Sequence, residues 1–165
     1  VDSAQIVNGK YHFEGQIDAL IPTRNISSAK LNNPWIAPRF ASIILERGVI
    51  KVADDDSSVT GGLTVGGTKG NRALHNFAVK GNEIQQAAEY AFLPEQREEL
   101  AEQYAKLVTK TIEHNFDNFA SLYLLSASGD RYSDSQMAEY LDRLSPAMQR
   151  TTAAQILRER IQTDN

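Results

Sequence analysis

The chain contains no cysteine, which removes disulfide bonds, thiolate nucleophiles, cysteine–zinc sites and iron–sulfur clusters together. Redox compartment stays open, because a cysteine-free chain is compatible with any. Long apolar runs are also missing, and none approaches the roughly 20 residues that a membrane-spanning helix needs. The opening VDSAQIVNGKY has neither the positive nor the apolar region of a signal peptide; a leader, where one existed, lies outside this chain. A basic field is absent as well. The chain carries 17 Lys+Arg against 21 Asp+Glu, a net charge of -4. Up to Lys69 bases and acids balance at 7 each, and the remainder holds 10 bases and 14 acids. All of the net charge therefore sits in the second half, and neither half suits nucleic acid.

What is present is enough for a folded unit. At 165 residues and 41% hydrophobic composition, the chain can build one domain, or a compact two-lobed one, around a sizeable core. The first seventy residues read as strands. KYHFEGQID alternates Tyr11, Phe13 and Ile17 with His12, Glu14 and Gln16, a period of two. Asn8-Gly9 just before it is a turn signal, since both residues tolerate positive φ. A proline-punctuated connection runs from Pro22 to Pro38, followed by apolar strands over Phe40 to Glu46 and Val49 to Ala53, joined through Arg47-Gly48. SSVTGG reads as one more short strand.

From Asn71 the period changes to about 3.6. Arg72 to Phe92 reads as one helix, and Pro94 starts the next at a position where its missing N–H costs nothing. That second helix places Leu100, Tyr104, Leu107, Val108 and Ile112 on one stripe, with Glu102 and Lys106 as an i,i+4 pair opposite. A third carries Phe119, Leu122, Tyr123 and Leu125. Ser133 with Gln136 forms a capping box ahead of Met137, Tyr140, Leu141 and Leu144. Ser145-Pro146 breaks that helix, and a last one over about Thr152 to Gln162 presents Ile156, Leu157 and Ile161. Strands first and helices after give α+β: a small antiparallel, sandwich-like sheet over 1–70 and an α-helical lobe of about five helices over 71–165.

Candidate chemistry is sparse. VTGGLTVGGTKGN, Val59 to Asn71, raises phosphate binding, but the phosphate loop needs G-x-x-x-x-G-K-[ST]. Counting from Gly62 to Gly67, Thr68-Lys69 follows in inverted order; counting from Gly61 to Gly66, no lysine is in place. The dinucleotide pattern G-x-G-x-x-G fails because the glycines are paired. DDDSS at Asp54 to Ser58 would need glycine and glutamate where Val59 and Val65 stand to bind calcium as an EF-hand. His12, His75 and His114 have no ligand spacing, and His114 suits a helix C-terminus. Ser27 and Lys30 form an isolated S-x-x-K without its partner motifs, and Asn25 heads a short glycosylation-type triplet. The sequence therefore offers no catalytic, cofactor-binding or metal residue and calls for no cofactor. The aromatics Tyr90, Phe92, Tyr104, Phe116, Phe119 and Tyr123 read as core, with a ligand groove between helices as the alternative. Trp35, between Pro34 and Pro38, reads as a lid over the sheet or as a partner contact.

The order of the pieces carries more than any one of them. NGKYHFEGQID, PRFASIILERGVIKV, VTGG…GNRALHNF, NFDNFASLYLLS and YLDRLSPAMQRTTAAQILRERI together resemble a family of domains of unknown function. These occur on the N-terminal side of thioredoxin-like, peroxiredoxin-like domains in Gram-negative envelope proteins. Gly9, Tyr11, Phe13 and Gly15 match its G-x-F-x-F-x-G-type strand, Gly48 its turn, and Asn71, Leu74 and Phe77 its entry into the helices. Asn115, Ala120, Leu124, Leu125 and Leu144 to Pro146 match its closing elements. The family's usual opening hairpin and its following C-x-x-C domain lie outside the chain. The resemblance implies a non-catalytic accessory domain of a periplasmic or outer-membrane-anchored lipoprotein thiol–disulfide oxidoreductase. Its partners would be a C-terminal thioredoxin-like domain in the same polypeptide and that domain's protein substrates, with no nucleic acid and no transmembrane segment in this chain. A homodimer through an open sheet edge is a further expectation. Two alternatives stand beside it: a stand-alone peptide- or ligand-binding envelope protein, and a carboxylate-dependent hydrolase.

Overall fold

The structure, a computed structural model, describes residues 4–5, 7–15, 23–28, 39–53 and 63–163, with the backbone alone for 23–28, 39–40 and 163. Among the described residues the strands form two antiparallel pairs. β1 (Thr23–Ser28) pairs with β2 (Arg39–Ile44), Thr23 opposite Ile44, and β3 (Lys51–Ala53) pairs with β4 (Thr64–Gly66), Lys51 opposite Gly66. Helices α1 (Lys69–Glu89), α2 (Pro94–Glu113) and α3 (Phe119–Ala127) follow. A 3-10 turn at Gly129–Arg131 leads to α4 (Asp134–Arg143), α5 (Pro146–Gln149) and α6 (Thr152–Thr163). The class is α+β, with the strands in the N-terminal part and, among the described residues, six α-helices after them.

The Asn8-Gly9 turn forms as read. Both residues have positive φ, 51° and 73°, and Val7 and Lys10 exchange backbone hydrogen bonds of 2.9 and 3.0 Å. Residues 11–15 then depart from the expected strand. The alternation does put Tyr11 and Phe13 together, their rings edge-on at 5.9 Å. A period-two run becomes a ladder only where a second strand meets its backbone, and among the described residues none meets this one. β1 lies inside the segment read as a proline-punctuated connection. β2 and β3, read as neighbours across Arg47-Gly48, each pair with a different strand. The SSVTGG strand, the acidic run Asp54 to Ser58, Lys30 and Trp35 lie outside the described residues.

Local signals set the helices. Pro94 is the first residue of α2. The Ser133 hydroxyl accepts from Gln136 N at 3.3 Å, while Gln136 Oε1 accepts from Ser133 N at 3.0 Å, closing the capping box of α4. Asn118 Oδ1 caps α3 by accepting from Ala120 N at 3.0 Å. These ends let α1, α2, α3, α4 and α6 turn their apolar faces onto one core. Val108, Ile112, Leu122 and Leu125 are fully buried there, with Met137, Leu141 and Leu157 beside them, and Ile44 reaches in from β2.

Three residues expected in the core stand outside it: Tyr90 (76% exposed), Phe92 (88%) and Ile156 (48%). The causes are geometric. α1 ends at Glu89, and Leu93, ahead of Pro94, is extended at φ -89° and ψ 139°, as the residue before proline prefers. In that connection only Ala91 turns inward. On α6 the inward stripe runs through Ala153, Ala154, Leu157 and Ile161, and Ile156 falls about 100° off Leu157.

Candidate functional site

The glycine-rich stretch is the place to build from, because the chain changes there from strand to helix. Gly67 has φ +91°, and a Cβ on it would lie 2.1 Å from the Val49 carbonyl oxygen. Only glycine lets the chain turn so closely over the backbone that leads into β3. Four residues on, Asn71 is 1% exposed inside the first turn of α1. Its Oδ1 accepts from Ile44 N at 2.9 Å, and its Nδ2 donates to Ile44 O at 2.8 Å and to Thr68 Oγ1 at 2.7 Å. A primary amide with one donor side and one acceptor side thus meets the edge of β2 as a neighbouring strand's peptide would.

An anion already lies at this helix N-terminus, and it belongs to the protein. Glu46, in the loop after β2, accepts from Asn71 N at 3.2 Å and from Asn71 Nδ2 at 3.4 Å. A Cβ at Gly70 would approach the same carboxylate to 2.9 Å. The carboxylate satisfies an amide the helix leaves open and suits the positive end of its dipole. A phosphate brought here would meet a fixed negative charge. Lys69, the lysine of the run, turns the other way and pairs with Asp117 in the connection between α2 and α3. That contact holds the Asp117 carboxyl below its ordinary value, chiefly through the hydrogen bond from Lys69. Arg72 Nη1 donates back to the Gly67 carbonyl at 3.0 Å.

The remaining sequence candidates stay apart. His12 is on the N-terminal strand-like segment, its Nε2 2.8 Å from Glu14 Oε1. His75 is half-buried in α1. His114 caps α2 and donates from Nδ1 to the Lys110 carbonyl at 2.7 Å. Among the described residues no three His, Asp or Glu side chains are grouped to hold a metal. Among the described residues the carboxylates displaced from their ordinary values, Asp117 and Glu102, both move down, and each faces a lysine. A general acid needs the opposite direction. Asn25 lies in β1 and Ser27 two residues beyond it.

Two surface clusters were not legible beforehand. Arg143 lies 4.6 Å over the Phe116 ring and 3.6 Å from a Glu113 oxygen, with Tyr140 packed beside them. Burial pushes the Tyr140 phenol up, with Tyr132 and Glu113 acting in the same direction. Tyr132 in turn shares a 3.1 Å hydrogen bond with Thr109. The second cluster is the α1–α2 corner, where Tyr90, Phe92 and Leu93 (56% exposed) stand out together. Beside them is an open groove of about 290 Å³ lined by Ala87, Tyr90, Ala91, Gln96, Glu99 and Leu100. The corner lies between the end of α1 at Glu89 and the start of α2 at Pro94, and the sequence signal nearby is Pro94, which holds Leu93 extended. No buried side-chain nitrogen or oxygen among the described residues lacks a hydrogen-bond partner, and no described helix is long and apolar enough to cross a membrane.

Residues 1–74 match the model of a domain of unknown function (DUF4369). The match takes in both strand pairs and ends in the first turns of α1, just past Asn71 and at Leu74. No curated protein and no solved structure matches the chain.

Proposed function

We propose that this chain is a non-catalytic accessory domain, a binding or scaffolding module, of a periplasmic or outer-membrane-anchored lipoprotein thiol–disulfide oxidoreductase. A thioredoxin-like domain in the same polypeptide would carry the reaction, and the module would position it or help it meet its protein substrates. The observation that carries the module reading is the distribution of polar chemistry. Of the junction residues that could serve a ligand, Glu46, Thr68 and Asn71 bind one another and the backbone, and Lys69 pairs with Asp117. The largest exposed aromatics form a corner suited to contact. Support for the thiol–disulfide half is the motif order described above, with the absence of cysteine assigning any thiolate to another domain. For the hydrolase alternative, the carboxylates displaced among the described residues, Asp117 and Glu102, both move down, the direction opposite to a general acid's.

The test is direct. The full reading frame is expected to encode a thioredoxin-like domain with a C-x-x-C motif, and the full-length protein to reduce insulin disulfides while residues 1–165 alone do not. A frame without such a domain, or turnover by residues 1–165 alone, contradicts the proposal.

A further inference from the structure

The Arg143 cluster shows what this protein does with an aromatic ring beside a glutamate: it lays an arginine over the ring and against the carboxylate. The α1–α2 corner has the same ingredients with the arginine missing. Tyr90 and Phe92 are the most exposed aromatics among the described residues; Glu89, Glu95, Glu98 and Glu99, all exposed, flank them in the sequence, and Glu99 lines the groove with Tyr90. Glu89, Glu95 and Glu98 make no ion pair with a described residue, and Glu99 only accepts a 3.4 Å hydrogen bond from Gln103. The one cation of this segment, Arg97, has its Nε committed to the Ala91 carbonyl at 2.9 Å. The groove has an apolar floor, Ala87, Ala91 and Leu100, an aromatic wall, Tyr90, and a carboxylate, Glu99.

We propose that the α1–α2 corner is a docking surface for an arginine-bearing segment of another protein, with an arginine seated in the Ala87–Tyr90–Glu99 groove and an apolar neighbour against Phe92 and Leu93. Charge complementarity selects this occupant. The rim holds four glutamates against one committed arginine, so it repels an anionic lipid surface and nucleic acid. Two copies meeting through the corner would bring like-charged rims together. An arginine satisfies all three walls: its stem lies on the apolar floor, its plane stacks on tyrosine, and its fork meets the carboxylate. The inference deepens the reading of the chain as a binding module and rests on it, while the two fail separately.

The probe is a fluorescent amphipathic peptide of arginine and leucine, compared with a glutamate–leucine peptide of the same length and with phosphatidylglycerol vesicles. Fluorescence anisotropy with the full chain should show binding of the arginine peptide alone, weakening as salt rises. Phe92→Ser and Glu99→Gln should each weaken it about fivefold or more. Glu139→Gln, which removes the same charge on α4, should leave it unchanged. All three positions are exposed, and circular dichroism confirms that each variant is folded. Overturning results are no binding at millimolar peptide, equal binding of the glutamate peptide, preference for the vesicles, or equal weakening by Glu139→Gln. A reading frame without a thioredoxin-like domain would remove the oxidoreductase assignment and leave this binding intact; loss of the peptide binding would remove only the corner.

Discussion

Between Val108 and Leu157 most buried side chains are apolar, with Asn115, Asn118 and Ser121 the buried polar ones, whereas the place where β2 meets α1 is closed by Asn71, Thr68 and the Glu46 carboxylate. The helical part coheres through non-directional burial, which tolerates small shifts and scales with area. Among the described residues the strand part shows two short two-stranded pairs, and a two-stranded pair is marginal without packing on something else. Its attachment is directional, with one amide side chain holding both backbone groups of Ile44. Polar closure of this kind is strong only while every partner is present. The two regions should therefore respond differently to the same kind of damage.

The largest effect is expected in the helical part. Ile112→Ala removes a fully buried side chain at the α2 contact with the core and should cost about 2–5 kcal/mol in urea unfolding. Asn71→Ala comes next. It leaves the Ile44 N–H and carbonyl without their partner, and about 2–3 kcal/mol follows from buried unsatisfied groups. Gly67→Ala belongs beside it, since positive φ alone costs a non-glycine residue about 1–3 kcal/mol and the Val49 carbonyl must also move. A melting curve that loses less with Asn71→Ala than with an exposed control such as Glu139→Gln would break the comparison. Ser133→Ala removes the α4 cap and should cost about 1 kcal/mol.

The Lys69–Asp117 pair is the smallest term. Both side chains are more than half exposed, so solvent screens the contact and Lys69→Ala should cost only about 0.2–1 kcal/mol. Its pH dependence has a definite sign. Asp117 sits below its ordinary carboxyl value in the folded protein, so its contribution is complete above the unfolded value of about 4. It fades as pH falls through the lower folded value. Wild type should thus lose its advantage over Lys69→Ala below about pH 4; an advantage that grows on acidification would exclude the assignment.

Legibility in the sequence followed the range of the interactions. Helix positions, Pro94 at the start of α2 and the Ser133–Gln136 cap are local, and they were readable within a few residues. Register also excluded a phosphate loop at Gly61 to Lys69, but the role of the stretch was not readable. Asn71 works through Ile44 and Glu46, which are 27 and 25 residues away, and no local pattern encodes that pairing. The same limit explains β1, whose partner β2 begins only after the Pro22 to Pro38 segment. Tyr90 and Phe92 have helical spacing from the core aromatics, and their exposure depends on where α1 stops.

The central claim is that Asn71 joins the strand part to a helical part that stands by its own burial. Hydrogen–deuterium exchange on Asn71→Ala tests it most directly. The account predicts that the Ile44 amide and its neighbours in β2 to β4 exchange about tenfold faster or more, as loss of a buried hydrogen bond implies, while α2 and α3 around Val108, Ile112 and Leu125 keep their protection. Unchanged exchange at Ile44, or an equal loss of protection throughout both parts, would contradict it.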